Sequence, residues 1–315
     1  MRTFSGRQDI NESILSSVKA GKSHYMENMK DWCKDHYINL DLYDVDFNTC
    51  EINDIQKKVF TLDQYPNSLG PIRFGNMYVL NLIECKLEEF VLPKSASEML
   101  ISRCNDLKTL KVEDSSSIGT LVIDSCENID FANSDLKNLN IDKLIIKNCP
   151  NVTSLKGLSN VKKLLKVSEC ESFSNFDFEP SNSCANTVVV NIDKCKFKSF
   201  SAKLSGKRVK FENCKTSRNA SMQIGKLTEL TIDNLKKCKS LSIYGNVEQC
   251  DIIDCDIESL EAPNCTFALS LIDLISLSSI KAQNNKIKGR IVVSSNDTMN
   301  VVKNSGIRCN KVVLG

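Results

Sequence analysis

Residues 143–164 read KLIIKNCPNVTSLKGLSNVKKL. Leu144 and Ile146 stand five and three positions before Cys149, Val152 three after it and Leu155 six after. An apolar pair spaced by two is the signature of a strand with one buried face. The apolar residues beyond the cysteine return the chain to the same interior. Flanking segments repeat the phrase. On the N-terminal side come VLNLIECKLEEFVL around Cys85, EMLISRCNDLKTLKV around Cys104 and TLVIDSCENIDF around Cys126. On the C-terminal side comes LLKVSECESFSNFDF around Cys170, and then Cys195, Cys214 and Cys255. Leu235, Leu274 and Asn296 take the cysteine slot in three further copies. Successive slots lie 19, 22, 23, 21, 25, 19, 21, 20, 19 and 22 residues apart. A repeat of this length predicts a solenoid, in which each unit buries its apolar edge only by stacking on its neighbours.

Composition agrees. The chain has 315 residues, more than one compact core usually holds, but a solenoid grows along one axis and meets no such ceiling. Net charge is +2, so no global field draws the chain onto nucleic acid or an acidic membrane, and aromatics at 6% leave few stacking platforms for bases or sugars. The most apolar run, from Phe267 to Ile280, is broken by Asp273 and fits the repeat phrase, so no membrane insertion is expected. The N-terminal stretch MRTFSGRQDINESILSSVKAGKS lacks the apolar centre of a signal peptide.

Fifteen cysteines would suggest disulfides in a small secreted domain. Here eight share one slot, so their side chains are expected to point inward and stack at the interstrand distance of about 4.8 Å. A free thiol packs as a small hydrophobe with a weak donor. Leu235, Leu274 and Asn296 fill the slot without loss of the phrase, which favours free thiols over bridges and implies a reducing, cytosolic compartment. Zinc is not expected: there is no CxxC pair, and the two histidines, His24 and His36, precede the repeats.

Residues 1–37 differ in kind and are read as an N-terminal segment and helical cap, with the solenoid over 38–315 and clear repeats from about 76. Ile10, Ile14 and Val18 have helical spacing. Tyr25, Met29, Trp32, Cys33 and His36 line one face of a second helix. Such a pair would cover the open end of a solenoid; ligand binding by Trp32 and His36 is the other reading. Residues 38–80 read as irregular early coils, with strict alternation in INLDLYDVDF and short apolar runs at Val59–Leu62 and Ile72–Phe74. A second apolar pair follows the slot in several units: Leu110 and Val112, Phe176 and Phe178, Leu241 and Ile243, Ile280 and Ala282. No unit holds ten helical residues. The expected fold is therefore a right-handed β-solenoid of parallel strands with little helix and a short N-terminal helical cap.

The phrase L-x-L-x-x-C-x-x-L resembles the leucine-rich repeat, L-x-x-L-x-L-x-x-N/C-x-L. The resemblance covers roughly residues 76–314, and LIIKNCPNVTSLKGLSNVKKL looks like the cysteine-bearing repeats of intracellular receptors. Repeats near 20 residues behind a helical cap are similar to the leucine-rich-repeat effectors that bacteria inject by type III secretion. That resemblance implies a virulence protein translocated from a bacterium into host cytosol, with protein binding as its activity.

Catalytic motifs are missing. Ala20-Gly21-Lys22-Ser23 ends like a phosphate loop, but Ser16 stands where its first glycine belongs. No G-x-S-x-G or H-E-x-x-H occurs, no histidine lies in the repeats to activate a nucleophile, and no cofactor is implied. Function is then expected on a surface. Residues four, two and one before the slot point outward. Four before, Leu100, Val122 and Ile145 form an apolar column. Two before come Asp124, Asp193, Glu212 and Asp233, and one before come Asp254 and Asp273. Like charges on neighbouring strands destabilise a sheet, so a basic partner is one reason for an acidic column. A solvated face neutralised by Lys194 and Lys210 is the other. The reading is a non-enzymatic protein-binding module using this strand face. The alternative is a carbohydrate-active parallel β-helix with the stacked carboxylates as its catalytic pair.

Overall fold

The computed structural model describes residues 27–315 except 47–50, 68–71, 132, 133, 135, 137, 154, 156, 157, 159, 172, 179, 182, 185 and 217. The first pair-and-slot phrase it contains is that of residues 59–65, and from there each phrase contributes one rung to a parallel sheet. The rungs are Val59–Asp63, Asn76–Ile83, Ser95–Ser102, Ser116–Asp124, Leu139–Lys147, Val161–Ser168 and Val189–Asp193, followed by the C-terminal parts of Lys196–Glu212 and Asn219–Asp233. Asn246–Ile253, Asn264–Ile272, Arg290–Val293 and Val312–Leu314 complete it. Each rung pairs in parallel with the next. The chain is a parallel β-solenoid of about 12 turns with little helix.

Alternation explains the rungs. The residues five and three before the slot are buried on every coil, from Phe60 and Leu62 through Leu144 and Ile146 to Leu269 and Leu271, and Ile291 and Val293 continue the same buried columns on the next rung. Most are Leu, Ile or Val, side chains that pack well on a pleated surface. They face a second parallel ladder built from the apolar pairs after the slot. Leu110, Leu241, Ile243, Ile280 and Ala282 are buried there. That ladder includes Cys238–Tyr244, Ile257–Ala262 and Ser279–Ala282 in register. The long strands Lys196–Glu212 and Asn219–Asp233 run through both ladders and join them into one hydrogen-bonded network. The result is a stack of coils along one axis, not the staves of a barrel. Gly206 (φ 151°) and Gly245 (φ 113°) supply backbone conformations at the bends that other residues rarely adopt.

The corner at the slot is the most regular feature. The residue just before the slot has positive φ on eleven successive coils, from Gln64 (54°) through Asn148 (50°) to Asp273 (51°). This left-handed step turns the chain while keeping the ladder intact. The Glu84 amide donates to Ser102 O (2.9 Å), the Arg103 amide to Asp124 O (2.9 Å) and the Asn148 amide to Ser168 O (3.0 Å) on the next coil. The slot side chain then points inward. Tyr65 fills the slot of the first coil, buried behind Gln64, a copy that the cysteine pattern does not reveal. Asn296 is not a slot: Ser295 caps a helix, Asn296–Asn304, by accepting from the Thr298 amide (3.1 Å). Polar residues following a strand favoured the cap over another corner.

At the N-terminal end, helix 27–35 buries Met29, Trp32 and Cys33. Trp32 stacks on His36 (ring centroids 4.0 Å apart) and meets the edge of Tyr65 (5.0 Å), so the expected apolar stripe caps the first coil. Ile10, Ile14, Val18, Tyr25 and the Ala20–Ser23 stretch lie outside the described residues. The early segment departs from the parallel rule: Tyr43–Asp46 pairs antiparallel with Glu51–Asp54.

Candidate interaction face

The outer face of the long sheet carries three columns, six, four and two residues before the slot. The register of the middle column runs Thr61, Asn81, Leu100, Val122, Ile145, Lys166, Asn191, Lys210. Leu100, Val122 and Ile145 are therefore direct neighbours on successive rungs, as their spacing implied. They are half-buried rather than fully exposed, because in-register side chains about 5 Å apart shield one another. Val79, Ile83 and Leu164, also half-buried, widen the patch on adjacent coils.

The acidic residues divide into three groups. Asp193, Glu212 and Asp233 are in register on consecutive rungs. Asp124 is separated from them by Lys147 and Ser168 in the same column and accepts from Ser125 Oγ (2.9 Å). Asp254 and Asp273 do not lie on the strand face: both occupy the left-handed corner, with φ 56° and 51°. A residue there leaves the pleat, which is why counting one back from the slot misplaced them.

The acidic run is compensated locally. Lys210 Nζ lies 3.1 Å from Glu212 and 3.8 Å from Asp233, and Asn213 Nδ2 donates to Asp193 Oδ1 (3.1 Å). Lys194 reaches Glu169 instead (3.7 Å). In the outermost column Arg208 Nε bonds Glu229 (2.6 Å) on the next coil and holds its carboxyl below the usual range. Sequence reading passed over that pair, although the column six before the slot follows from the same alternation. It also passed over a second apolar pair in the column two before the slot, Ile253 and Ile272, and, at the other end of the same rung, the exposed Phe267 over which Arg290 lies 5.2 Å from the ring centroid.

Chemically, the interior is quiet. None of the fourteen described cysteines is bridged, and the eight slot cysteines are buried. Seven of their thiols meet backbone carbonyls of both their own and the preceding coil, as in Cys85 with Leu62 O (3.3 Å) and Ile83 O (3.6 Å) and Cys255 with Ile253 O (3.0 Å) and Ile232 O (3.4 Å), while Cys170 meets Ser168 O (3.3 Å) of its own coil. Burial pushes the Cys149 and Cys214 thiols up to about 12 and Cys255 up to about 11. Such thiols stay protonated near neutral pH and are poor nucleophiles. His36 is engaged by Trp32, through stacking and through its ring Nδ1 at 2.8 Å from Trp32 O. A corner groove of about 590 Å³ is lined by Gln64, Glu84, Lys86 and Arg103, but Arg103 (2.9 Å) and Gln64 (3.1 Å) tie up Glu84. Among the described residues no cluster of three metal-ligating side chains occurs, and no helix is long and apolar enough to cross a membrane.

No family, no curated protein and no solved structure matches the chain in comparisons with known proteins.

Proposed function

We propose that this chain is a non-enzymatic binding module that holds a partner protein across the outer face of its long sheet. The observation that carries the reading is the in-register apolar run Leu100–Val122–Ile145, widened by Val79, Ile83 and Leu164 on the adjacent coils. Aligned apolar side chains on a rigid surface are an interface in waiting, because covering them removes water at no cost in backbone ordering. Asp193, Glu212 and Asp233 lie farther along the same face and add a charged rim that selects a basic segment. The resemblance to leucine-rich-repeat effectors supports a bacterial chain acting in host cytosol, where unbridged cysteines are expected. The carbohydrate-active reading ranks below this one, since Lys210 already engages two of the three stacked carboxylates.

Capture from a eukaryotic lysate followed by mass spectrometry tests the proposal. Val122→Glu with Ile145→Glu is expected to cut recovery of the specific partner about tenfold or more, since a buried apolar anchor is worth more than about 1.4 kcal/mol. Charge reversal at Asp193, Glu212 and Asp233 should weaken it further at low salt. Unchanged capture by both variants, with unchanged melting curves, would reject this face.

A further inference from the structure

The strand face is complementary to itself about one coil. In the column six before the slot, successive rungs carry Val59, Val79, Glu98, Thr120, Lys143, Leu164 and Val189. Read outward from Thr120 in either direction, the order is charged, apolar, apolar, and the two charges have opposite sign. In the middle column Val122 is flanked by apolar residues on both sides, Leu100 and Ile145, with the polar Asn81 and Lys166 beyond them.

Resting on the reading of this face as a binding surface, we propose that its partner is a second copy of this chain, packed face to face about a two-fold axis along the rung that ends at Asp124. Such an axis reverses the order of coils while keeping each column opposite itself. Glu98 then faces Lys143 of the second copy, twice per dimer. Leu100 faces Ile145, Val79 faces Leu164, and Val122 meets its own copy at the centre. The axis also gives a role to Val59, which is 57% exposed and would face Val189.

Glu98 and Lys143 are both exposed, and neither has an ion-pair partner among the described residues. Neighbouring columns do not pair them within one chain, because the Thr120 rung lies between them. Like charges meet in the column two before the slot: Asp124 faces its own copy on the axis, where Lys147 on the next rung lies close enough to offset it, and Asp63 faces Asp193 three rungs out, at the solvent-screened rim. Seven rungs at about 4.8 Å by five residues at about 3.3 Å bury roughly 550 Å² per copy. The total of roughly 1,100 Å² is near the lower bound for a specific interface, so the dimer is a weak and reversible one.

Sedimentation velocity on the full chain, from about 1 to about 300 µM, tests this. The wild type is expected to show concentration-dependent dimerisation. Glu98→Lys and Lys143→Glu should each weaken it about tenfold, since each places like charges opposite each other twice, and the double variant should restore it. A merely structural role for either residue would give no rescue. A chain that stays monomeric throughout overturns the proposal, as does a dimer whose affinity ignores the charge exchange. If the chain is monomeric yet Val122→Glu still abolishes capture of a cellular protein, the second copy is rejected and the binding face stands. If the exchange rescues dimerisation and no cellular protein is captured, the second copy is the occupant.

Discussion

The slot residue works with the residue before it. A left-handed residue costs roughly 1 kcal/mol when it carries a Cβ, yet Glu84, Arg103, Glu169 and Lys194 all accept that conformation. They do so because the turn lets their amides continue the ladder to the next coil. The cysteine that follows is small enough to enter the corner and bonds the carbonyls exposed there. Its protonation has a consequence for stability. With folded values near 11 to 12 for Cys149, Cys214 and Cys255, and about 8.5 for an unfolded thiol, the unfolded chain releases these protons first. The stabilisation is whole below about pH 8.5 and is lost as pH rises toward about 12. Urea midpoints measured under reducing conditions should therefore fall between about pH 8 and about pH 10.5, and the fall should be shallower for Cys149→Ala with Cys214→Ala. An equal slope in wild type and variant would show that these thiols are not what titrates.

At the scale of the element, strand length and the bends between ladders depend on a few close approaches. Gly289 precedes the rung Arg290–Val293, and its amide donates to Cys265 O (2.8 Å). A Cβ added there would lie 2.3 Å from Phe267 O and 2.4 Å from Phe267 C, both backbone atoms that cannot swing aside. Gly289→Ala is expected to cost about 1–3 kcal/mol, the range for forcing an extra methyl into a packed site. The damage should be confined to Arg290–Val293 and Val312–Leu314. Gly306→Ala is the control: φ is 70° but nothing lies within 4 Å of the added atom, so only backbone strain is paid. Equal midpoints for Gly289→Ala and wild type in chemical denaturation would refute the close approach.

For the whole molecule, each coil contacts only the coils beside it, so stability is a sum of nearest-neighbour terms rather than of one central core. The ends are the weak points, and each has a cover. Helix 27–35 seats Trp32 against Tyr65, and Asn296–Asn304 buries Thr298 and Val302 near the last rungs. Hydrogen exchange should consequently be graded along the axis. Amides of Leu121–Ile123 and Leu144–Ile146 are expected to exchange most slowly, and those of Tyr43–Asp46 and Val312–Leu314 fastest. Uniform protection from end to end would indicate a single cooperative unit and contradict the additive picture.

The period of about 21, the inward residues five and three before the slot, the second apolar pair and the buried, unbridged cysteines were all legible in the chain. They rest on alternation and packing within one short phrase, and each phrase states its own inside and outside. Sequence also placed Leu100, Val122 and Ile145 in one column, because equal offsets from equal corners land on the same line. Tertiary structure alone decided the rest. Tyr65 enters the first slot because an end is defined by what lacks a neighbour, which a repeating phrase does not encode, and Asn296 starts a helix because Ser295 caps it where spacing alone would place another corner. Asp254 and Asp273 leave the strand face because φ changes sign there. Lys210, rather than Lys194, offsets the acidic run because ion pairing depends on where long side chains reach: Lys210 stays on the strand face between Glu212 on its own rung and Asp233 on the next, whereas Lys194 reaches Glu169 from the corner. Local pattern sets the face of a strand; only the stacked coils set which charges meet.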